Sequence, residues 1–513
     1  MAESAAAARA GRGRIVVVGA GISGLAAAHA VAERAPDAEL LVVEAEGAPG
    51  GKVRTVREEG YVVEGGPNGF LDDAPGTLAL AGRVGLGARV VRASEESARR
   101  WVWLRGALRR IPEGPGALLR SDVLSWPAKL RLALEPLVPR RRGEADESVL
   151  AFARRRLGAE AADALVAPMV GGIYAGDAAA LSVGAAFPKI VALEREHGSL
   201  VLGAIARMRA RRAEARAAGA SGRAGEGGTA GASGGAGEGG AAGAARAAAA
   251  GAPRLQTAPI GRLTSFQNGL AELPARLAER LGRFVRTGAP ARRVARDGDR
   301  WTVELADGTV EPAAAVVLAV PADAAARLCA DLPAPLAAPL AAIPLAPVGV
   351  VALAFERAAV AHPLDGFGFL VPPGEGLRIL GCLFDSTIWP GRAPAGRVLL
   401  RAIVGGARDP GALALDDDAL TALVREDLRA ALDLRAEPVY RRLFRWPRGI
   451  PQYALGHAAR VAAADRAAAT LPGLVLAGNS LRGVAFNACI EAAPAAAGAA
   501  LRAAGGWSGP TTT

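Results

Sequence analysis

Apolar residues are arranged along this chain in two alternating patterns. Residues 15–18 (IVVV) form a continuous apolar run after Arg14, and residues 25–31 (LAAAHAV) follow at helical spacing. A second apolar run, residues 40–43 (LLVV), is followed by Glu44. Short apolar runs that alternate with helical segments are typical of buried parallel strands joined by helices. The chain is therefore predicted to begin with a strand, a turn, a helix and a second strand.

The same patterns predict further elements along the chain. Residues 146–170 and 265–282 have the spacing of amphipathic helices. Residues 292–321 alternate instead, which predicts three strands joined by Asp-Gly turns. Residues 213–251 are nearly all Ala, Gly and Ser with a few Arg and Glu, so they have almost nothing to bury. This tract is predicted to be a flexible surface insertion.

The charge of the chain is strongly positive without indicating a nucleic-acid partner. There are 61 Lys and Arg against 50 Asp and Glu, a net charge of +11, yet only Lys52, Lys129 and Lys189 are lysines. The arginines are scattered along helices, aromatic residues make up 4%, and no recognition module is visible. Nucleic acid is therefore not expected as a partner. The basic clusters at 109–112 and 139–143 are interpreted either as solvated surface or as contacts with anionic lipid.

Cysteine usage and hydropathy favour a cytoplasmic protein. Cys329, Cys382 and Cys489 are too few and too far apart for a disulfide framework or a metal site, so a reducing compartment and no metal are expected. The first residues contain no apolar segment of the kind found in secretory signals. The longest uncharged stretch, residues 332–355, contains five prolines, so no transmembrane helix is predicted.

The first candidate site is the turn between the opening strand and helix. Gly19, Gly21 and Gly24 have G-x-G-x-x-G spacing. The first glycine permits a tight turn, the second lets the backbone approach a pyrophosphate, and the third allows close packing of helix on strand. Glu44 lies twenty residues after Gly24, at the end of the second strand, where a carboxylate can hold ribose hydroxyls. A dinucleotide-binding site is therefore predicted.

Two further glycine-rich stretches distinguish an FAD site from an NAD site. GAPGGKVRTV at 47–56 contains a Gly-Gly pair and Lys52, and EGGPNGF follows at 64–70. A domain that binds only NAD has no use for them. They resemble the loops that line FAD in the flavin amine oxidase superfamily, where a strand and a helix from the end of the chain close the flavin site. The segment 478–491 resembles that closing piece, so its helix N-terminus is expected to face the N1–C2=O edge of the flavin.

Several stretches are similar to the protoporphyrinogen oxidase family within this superfamily. They are GGIYAGDAAALSVGAAFPKIVALEREHGS (171–199), GFGFLVP (366–372), WPRGIPQYALGH (446–457) and GNSLRGVAFNACIE (478–491). The similarity covers nearly the whole chain apart from the tract at 213–251. It implies an oxygen-dependent, six-electron oxidation of protoporphyrinogen IX to protoporphyrin IX in haem biosynthesis, with release of hydrogen peroxide.

The resemblance implies a mixed fold of α/β and α+β type. A Rossmann-like FAD-binding domain of the flavin amine oxidase type is expected to be interleaved with substrate-binding and helical domains. The FAD-binding domain is expected at 14–95, 252–325 and 446–505, the substrate-binding and helical parts, with a candidate membrane-facing surface, at 96–212 and 326–445, and disordered ends at 1–13 and 506–513.

The resemblance also implies which residues hold FAD. They are Gly19, Ala20, Gly21, Ile22, Ser23, Gly24, Glu44, Gly50, Gly51, Lys52, Gly66, Pro67, Asn68, Gly69, Val294, Asn479, Val484, Ala485 and Phe486. Many family members have an aromatic residue or Arg in place of Lys52, so the contact there is expected to differ. Cys489 lies in a motif whose flavin is not covalently bound, so non-covalent FAD is expected.

Four residues are expected on the substrate side. The segment 99–112 (RRWVWLRGALRRIP) resembles the one in which a family Arg pairs with a substrate propionate, and it aligns that role with Arg100. Gly172 would let the tetrapyrrole approach the backbone, and Leu370 and Phe384 are candidates for the apolar clamp around its rings. His457 is expected to make a structural hydrogen bond, and no side chain is assigned as a catalytic base.

Several alternatives remain open at this stage. An oxidase of the same fold that acts on coproporphyrinogen III would favour a more basic pocket mouth. An amine oxidase or a carotenoid desaturase is a more distant alternative, and many amine oxidases need a late Lys that this chain lacks after Lys189. A non-enzymatic flavin-binding scaffold or porphyrin chaperone is a third. The sequence leaves open contact with a membrane surface or with ferrochelatase, and whether the protein is a monomer or a homodimer.

Overall fold

The structure is a computed structural model that describes residues 13–141, 143, 145–210 and 261–505. The insertion predicted at 213–251 lies outside the described residues. So do the ends predicted to be disordered, Gly13 excepted. Within the described ranges, no helix combines the length and the apolar character needed to cross a membrane.

In the described parts of the chain, twenty strands form five sheets. In chain order they are β1 (Ile15–Val18), β2 (Leu40–Val43), β3 (Thr55–Glu58), β4 (Tyr61–Glu64), β5 (Phe70–Leu71), β6 (Val90–Arg92), β7 (Trp101–Leu104), β8 (Ala107–Arg110), β9 (Leu263–Phe266), β10 (Val285–Arg286), β11 (Ala291–Asp297), β12 (Arg300–Leu305), β13 (Val310–Ala313), β14 (Ala315–Leu318), β15 (Leu345–Glu356), β16 (Gly368–Leu370), β17 (Gly381–Leu383), β18 (Arg397–Gly405), β19 (Tyr440–Pro451) and β20 (Leu474–Leu476).

The α-helices lie between and around these strands. They are Ile22–Arg34, Pro75–Arg83, Pro115–Arg120, Trp126–Ala133, Val149–Leu157, Ala159–Ala161, Ala167–Tyr174, Val183–Ala186, Pro188–His197, Glu272–Leu281, Ala322–Leu328, Ala337–Ala341, Asp385–Ile388, Asp417–Leu432, His457–Ala469, Phe486–Glu491 and Ala493–Ala503. Residues 200–210 are also helical.

The first domain is built on a parallel five-stranded sheet with the order β10-β2-β1-β14-β20. All four residues of β1 are buried, as in a strand covered on both faces. One face packs on the helix Ile22–Arg34 and the C-terminal helix Ala493–Ala503, whereas the other face packs on the three-stranded sheet β11-β12-β13. The beginning, middle and end of the chain therefore meet in one sheet.

The second large layer is a seven-stranded mixed sheet with the order β19-β15-β18-β17-β16-β7-β8. One of its faces packs on the long helix Asp417–Leu432. The opposite face packs on β4 of the first domain, where Tyr61 stacks on Tyr440 with ring centroids 4.3 Å apart. This sheet therefore borders the glycine-rich segments of the first domain.

Three predicted elements differ in detail from the structure. Residues 265–282 are helical only over Glu272–Leu281, because residues 265 and 266 belong to β9. Residues 146–170 do not form one continuous helix, because Gly158 at φ +90° ends the helix Val149–Leu157 before the chain resumes as helix. Residues 292–321 contain the predicted strands and Asp-Gly turns, with Gly298 and Gly308 at positive φ, but β14 leaves that sheet to join β1.

A buried ion pair connects the two domains. Glu64, fully buried at the end of β4, accepts a hydrogen bond from Arg392 Nη1 at 2.6 Å. Its carboxylate also accepts from the Leu270 N–H at 2.8 Å and from Thr55 Oγ1 at 2.6 Å. Since a buried carboxylate is stable only when its lone pairs are satisfied, these contacts fix β4 and the loop that follows it.

Replacing Arg392 by Met removes this cation and leaves the Glu64 carboxylate buried. We expect the free energy of unfolding to fall by about 3–5 kcal/mol, as measured by urea denaturation followed by circular dichroism. The matched control is Arg441→Met, which breaks an exposed pair with Asp418 and should cost less than about 1 kcal/mol. Equal losses in the two variants would contradict this role for the buried pair.

Candidate flavin and substrate site

The turn after β1 has the close packing predicted for a dinucleotide site. Gly19 has φ +101°, and a Cβ at Gly24 would lie 1.9 Å from the Gly19 carbonyl oxygen, so neither position tolerates a side chain. A Cβ at Gly21 would meet nothing within 4 Å. The backbone at Gly21 therefore borders open space at the N-terminus of the helix Ile22–Arg34, where an anion is favoured.

Glu44 is held against this turn. Its side chain is buried, and its two carboxylate oxygens accept hydrogen bonds from the Ala20 N–H at 2.7 Å and the Glu46 N–H at 2.9 Å. A carboxylate oxygen can accept more than one hydrogen bond. Glu44 therefore keeps acceptor capacity beside the turn, as its predicted contact with a ribose requires.

The second glycine-rich segment lies directly on the first. Gly50 has φ +117° and forms a bridge with Gly21. A Cβ at Gly51 would come within 3.3 Å of the Gly21 Cα. The two predicted cofactor segments therefore form one continuous backbone surface.

Lys52 follows this segment and is half-buried. Its Nζ donates a hydrogen bond to the Gly449 carbonyl at 2.5 Å. Burial lowers the pKa of Lys52 to about 8, while Asp323 partly opposes this and Arg448 adds to it. An ammonium group has three N–H donors, and Lys52 uses one of them on a neutral carbonyl, so donors remain for an anionic partner.

The loop 65–69 contributes a donor that the protein leaves unpaired. Asn68 Oδ1 accepts a hydrogen bond from Trp389 Nε1 at 3.1 Å, whereas its buried Nδ2 has no hydrogen-bond partner among the described residues. A Cβ at Gly66 would lie 2.0 Å from the Lys52 carbonyl oxygen, and one at Gly69 would lie 2.6 Å from that of Thr264. Pro67 lies between them. A buried, unpaired amide donor is costly, so the loop fits a ligand that offers an acceptor.

The closing segment lies near these loops, but its side chains point partly into the core. The Asn479 carbonyl accepts a hydrogen bond from the Tyr453 hydroxyl at 2.6 Å, and Val484 packs beside the same Tyr453. Ala485 caps the six-residue helix Phe486–Glu491. The Phe486 ring packs on Phe70 with centroids 5.8 Å apart, so its backbone is what remains for a cofactor contact.

Val294 is in a similar position. Its side chain is fully buried in the core between β11 and the parallel sheet. Only its backbone atoms are therefore in a position to contact a cofactor.

His457 and Cys489 lack the environment of reactive groups. His457 Nε2 is 2.9 Å from the Leu481 carbonyl, and its ring stacks on Tyr453 at 4.1 Å. These contacts agree with the structural role predicted for it. Burial raises the pKa of the Cys489 thiol, which disfavours the thiolate needed for covalent attachment of a flavin.

Three of the four predicted substrate residues lie along β16. Arg100 immediately precedes β7, which pairs in parallel with β16, and its guanidinium lies over the Phe367 ring at 5.6 Å. A Cβ at Gly172 would lie 2.8 Å from Leu370 Cδ2. Leu370 is only partly buried and borders the helix that carries Gly172. Arg100, Gly172 and Leu370 therefore belong to one surface.

The structure does not bring Phe384 to this surface. Phe384 is fully buried in the core beneath the helix Asp417–Leu432, with its ring 6.3 Å from that of Phe369. Because successive residues of a strand point to opposite faces, Phe369 and Leu370 point apart, and Phe384 lies on the Phe369 side.

Three residues of this region were not predicted from the sequence. Phe367 supports Arg100, Trp389 donates to Asn68, and Arg408 lies near Gly171. Phe367 is the second residue of the GFGFLVP motif, so the motif itself offered a signal. Trp389 and Arg408 lie outside the segments that carry the resemblance, and only the folded chain brings them close.

Arg100 has no carboxylate partner in the part of the chain that the structure describes, with none within 4.0 Å. Burial is the main factor that lowers its pKa from the usual range, and Glu113 opposes this from a distance. The neighbouring Arg99 instead pairs with Asp365 at 2.9 Å. Of these two arginines, Arg100 is therefore the one free to bind an anionic ligand.

Segments from both ends of the chain form a glycine-rich site that suits a nucleotide. Near it, the mixed sheet carries apolar residues and an unpaired guanidinium. Together these features are those of an FAD-dependent oxidoreductase. The model of the flavin-containing amine oxidoreductase family matches residues 22–501, and the chain belongs to this family. This confirms the predicted fold class and FAD as the cofactor.

Several porphyrinogen oxidases are similar to this chain over most of its length. The chloroplastic protoporphyrinogen oxidase of Oryza sativa subsp. japonica is 33% identical over 495 residues, covering 93% of this chain and 86% of the relative. The coproporphyrinogen III oxidase of Propionibacterium freudenreichii subsp. freudenreichii is 38% identical over 489 residues, covering 93% and 88%. A crystal structure of an Exiguobacterium sp. 255-15 protein superposes with a TM-score of 0.76 at 27% identity, covering 94% and 98%.

The position of Lys52 predicts that FAD affinity depends on pH. If the Lys52 ammonium binds an anionic part of FAD, only the protonated form of the free protein makes this contact. FAD affinity should therefore fall as the pH rises above the Lys52 pKa of about 8. We expect a loss of at most roughly tenfold per pH unit above that value. Quenching of FAD fluorescence on binding, titrated between pH 7 and 9.5, measures this.

Two variants separate this effect from general alkaline damage. Lys52→Gln should bind FAD more weakly at pH 7 and show a flatter profile. Lys52→Arg should keep its affinity at pH 9.5, because a guanidinium stays protonated there. A wild-type profile that is flat to pH 9.5 would remove Lys52 from the cofactor contact.

Proposed function

We propose that this protein catalyses the FAD-dependent, six-electron oxidation of a porphyrinogen in haem biosynthesis, from protoporphyrinogen IX to protoporphyrin IX, with oxygen as the acceptor. The observation that carries the proposal is the unpaired, half-buried guanidinium of Arg100 over Phe367, which packs in one cluster with the Trp389 that donates to Asn68. A flat, apolar ring system with carboxylate side chains matches that combination. The names of the relatives agree with it.

The residues present fit FAD, as the Asn68 donor and the glycine cradle indicate. Bound FAD supplies hydride removal from a bridging carbon, three times per substrate, and three oxygen molecules are reduced to three of hydrogen peroxide. Arg100 binds a propionate and thereby determines which bridging carbon faces the flavin. It does not transfer protons, because a guanidinium stays charged even when burial lowers its pKa.

The chain's remaining contribution is to shape the site. Gly172 has no side chain, and any Cβ there would collide with Leu370, so the helix can approach β16 closely. Leu370 and Phe367 provide apolar surface that excludes water from the reacting carbon. In this proposal the protein orients substrate and cofactor, and the cofactor performs the oxidation.

The central test offers the FAD-loaded enzyme protoporphyrinogen IX and coproporphyrinogen III in parallel, while porphyrin fluorescence is followed. Arg100→Ala should cost about 2–4 kcal/mol in kcat/KM, because a charge-assisted contact is lost. Part of the loss should fall on kcat, since the contact also sets orientation. Arg100→Lys should recover some of it, because a point charge does not reproduce the bidentate fork.

Arg99→Ala is the matched control, since Arg99 is already engaged by Asp365. It should leave kcat/KM within about threefold of the parent. FAD content should be the same in all variants, because Arg100 is assigned to the substrate side. If both porphyrinogens stay dark while a polyamine is oxidised, the protein is an amine oxidase and the proposal fails. Turnover of either porphyrinogen excludes a non-enzymatic scaffold.

We also propose that the protein binds peripherally to anionic membranes. The supporting observation is an exposed apolar patch on the helices Pro115–Arg120 and Trp126–Ala133 and the turn after them. It comprises Leu119, Trp126, Leu130, Leu134 and Leu137, of which Trp126 and Leu137 are 68% and 76% exposed. The Lys129 ammonium lies over the Trp126 ring at 4.4 Å, next to Arg105, Arg109 and Arg120. Apolar side chains beside basic ones suit the interface of an anionic bilayer.

Flotation with phosphatidylglycerol vesicles tests this surface. Burying each of these side chains contributes about 1.5–3 kcal/mol, so the double variant Trp126→Ser/Leu137→Ser should reduce partitioning by at least about tenfold. Val439→Ser, at an exposed apolar residue outside the patch, is the control and should float like the parent. Equal flotation of all three proteins would refute the proposal.

Three further expectations stay predictions. They are contact with ferrochelatase, cytoplasmic location, and a monomeric or homodimeric state.

A further inference from the structure

Arg408 is a second half-buried arginine beside the substrate surface. It lies on the loop that follows β18 and docks on the end of the helix Ala167–Tyr174. The Ala407 N–H donates to the Ala175 carbonyl at 2.7 Å. A Cβ at Gly406 would lie 2.4 Å from that carbonyl oxygen, so the loop packs too closely for a side chain at that position. Arg408 is thus presented from a fixed piece of backbone.

The guanidinium of Arg408 has no anionic partner within the described ranges. No carboxylate lies within 4.0 Å of it, and its Nε is buried without a hydrogen-bond partner. The adjacent Asp409 is taken by Arg378 at 2.8 Å, and Asp177 acts only from a distance. Burial lowers the pKa of Arg408, as expected for a cation that has lost water and has gained no anionic partner in its place. A buried, unpaired cation is costly, so this position points to an anionic ligand.

Arg408 and Arg100 both lie near the contact between Gly172 and Leu370. Arg408 Nη2 is 3.3 Å from where a Cβ of Gly171 would be, and a Cβ at the next residue, Gly172, would lie 2.8 Å from Leu370. Arg100 lies over Phe367, three residues before Leu370. The two guanidiniums come from different segments, one after β18 and one before β7.

We propose that Arg408 is a second carboxylate-binding residue, which binds a propionate on a pyrrole remote from the one that Arg100 serves. This inference rests on the proposed oxidation of a porphyrinogen. Protoporphyrinogen IX carries its two propionates on neighbouring pyrroles, whereas coproporphyrinogen III carries one on each of four. Coproporphyrinogen III carries propionates where protoporphyrinogen IX carries its two vinyl groups, so it offers a carboxylate on every pyrrole. Arg408 therefore extends the proposed site to coproporphyrinogen III and sets the ratio of its efficiency to that for protoporphyrinogen IX.

The test compares kcat/KM for both porphyrinogens in the FAD-loaded enzyme and in Arg408→Met. Losing a charge-assisted contact should lower kcat/KM for coproporphyrinogen III by at least roughly tenfold, chiefly through KM. The ratio of coproporphyrinogen III to protoporphyrinogen IX efficiency should fall by a similar factor. Arg408→Lys should recover part of it. Arg378→Met is the matched control, because it removes a neighbouring arginine that is already paired with Asp409, and its ratio should stay at the parental value.

A second measurement separates binding from folding. Quenching of porphyrin fluorescence should show weaker binding of coproporphyrin III to Arg408→Met, whereas the tetramethyl ester, which has no carboxylates, should bind parent and variant equally. An unchanged substrate ratio, or a loss shared equally by acid and ester, would overturn the role of Arg408. Failure of the proposed function is distinct, because the parent enzyme would then produce porphyrin from neither substrate.

Discussion

The buried ion pair between Glu64 and Arg392 is the constraint on which the site depends. It joins the end of β4 to the seven-stranded sheet, and a second buried pair, Arg401 with Asp385 at 3.0 Å, lies beside it. Arg401 also donates to the Glu64 and Gly66 carbonyls, both at 3.1 Å. Removing one partner of such a pair leaves an uncompensated charge in a low-dielectric interior, so the loss of either partner is strongly disfavoured. The loop 65–69 is thereby fixed at the junction of the two domains.

This junction separates the two tasks of the protein. The cofactor side is mostly backbone: glycine turns from the start of the chain and the segment after β20 from its end. The substrate side is made of side chains on one face of the mixed sheet, where Val102 and Leu370 are register partners. The neighbouring strand residue Phe369 points to the opposite face, where it is part of a hydrophobic core. In the proposed function, the Phe369 side of this strand contributes to stability and the Leu370 side contributes to substrate binding.

Sequence reasoning was most successful where local backbone chemistry decides the structure. The turn at Gly19 to Gly24, the strand ending near Glu44 and the Asp-Gly turns all follow from short-range rules. It was less successful where a side chain's position depends on the alternation of strand faces or on contacts between distant segments. Phe384 was predicted as a clamp residue, but it directly follows β17 and its side chain lies in the core. Trp389 and Arg408 carried no local signal, because their relation to Asn68 and Gly171 exists only after distant segments have packed.

The pairing of arginines adds a last step to this reasoning. The chain is rich in arginine, yet the fully buried guanidiniums of Arg156 and Arg401 each have a carboxylate partner. Arg100 and Arg408 are desolvated too, but the described residues supply neither with one within 4.0 Å. The half-buried Arg100 and Arg408 therefore differ from these fully buried arginines, and a ligand carboxylate would offset the cost of their desolvation. In the proposed function, the propionates of the porphyrinogen supply those carboxylates.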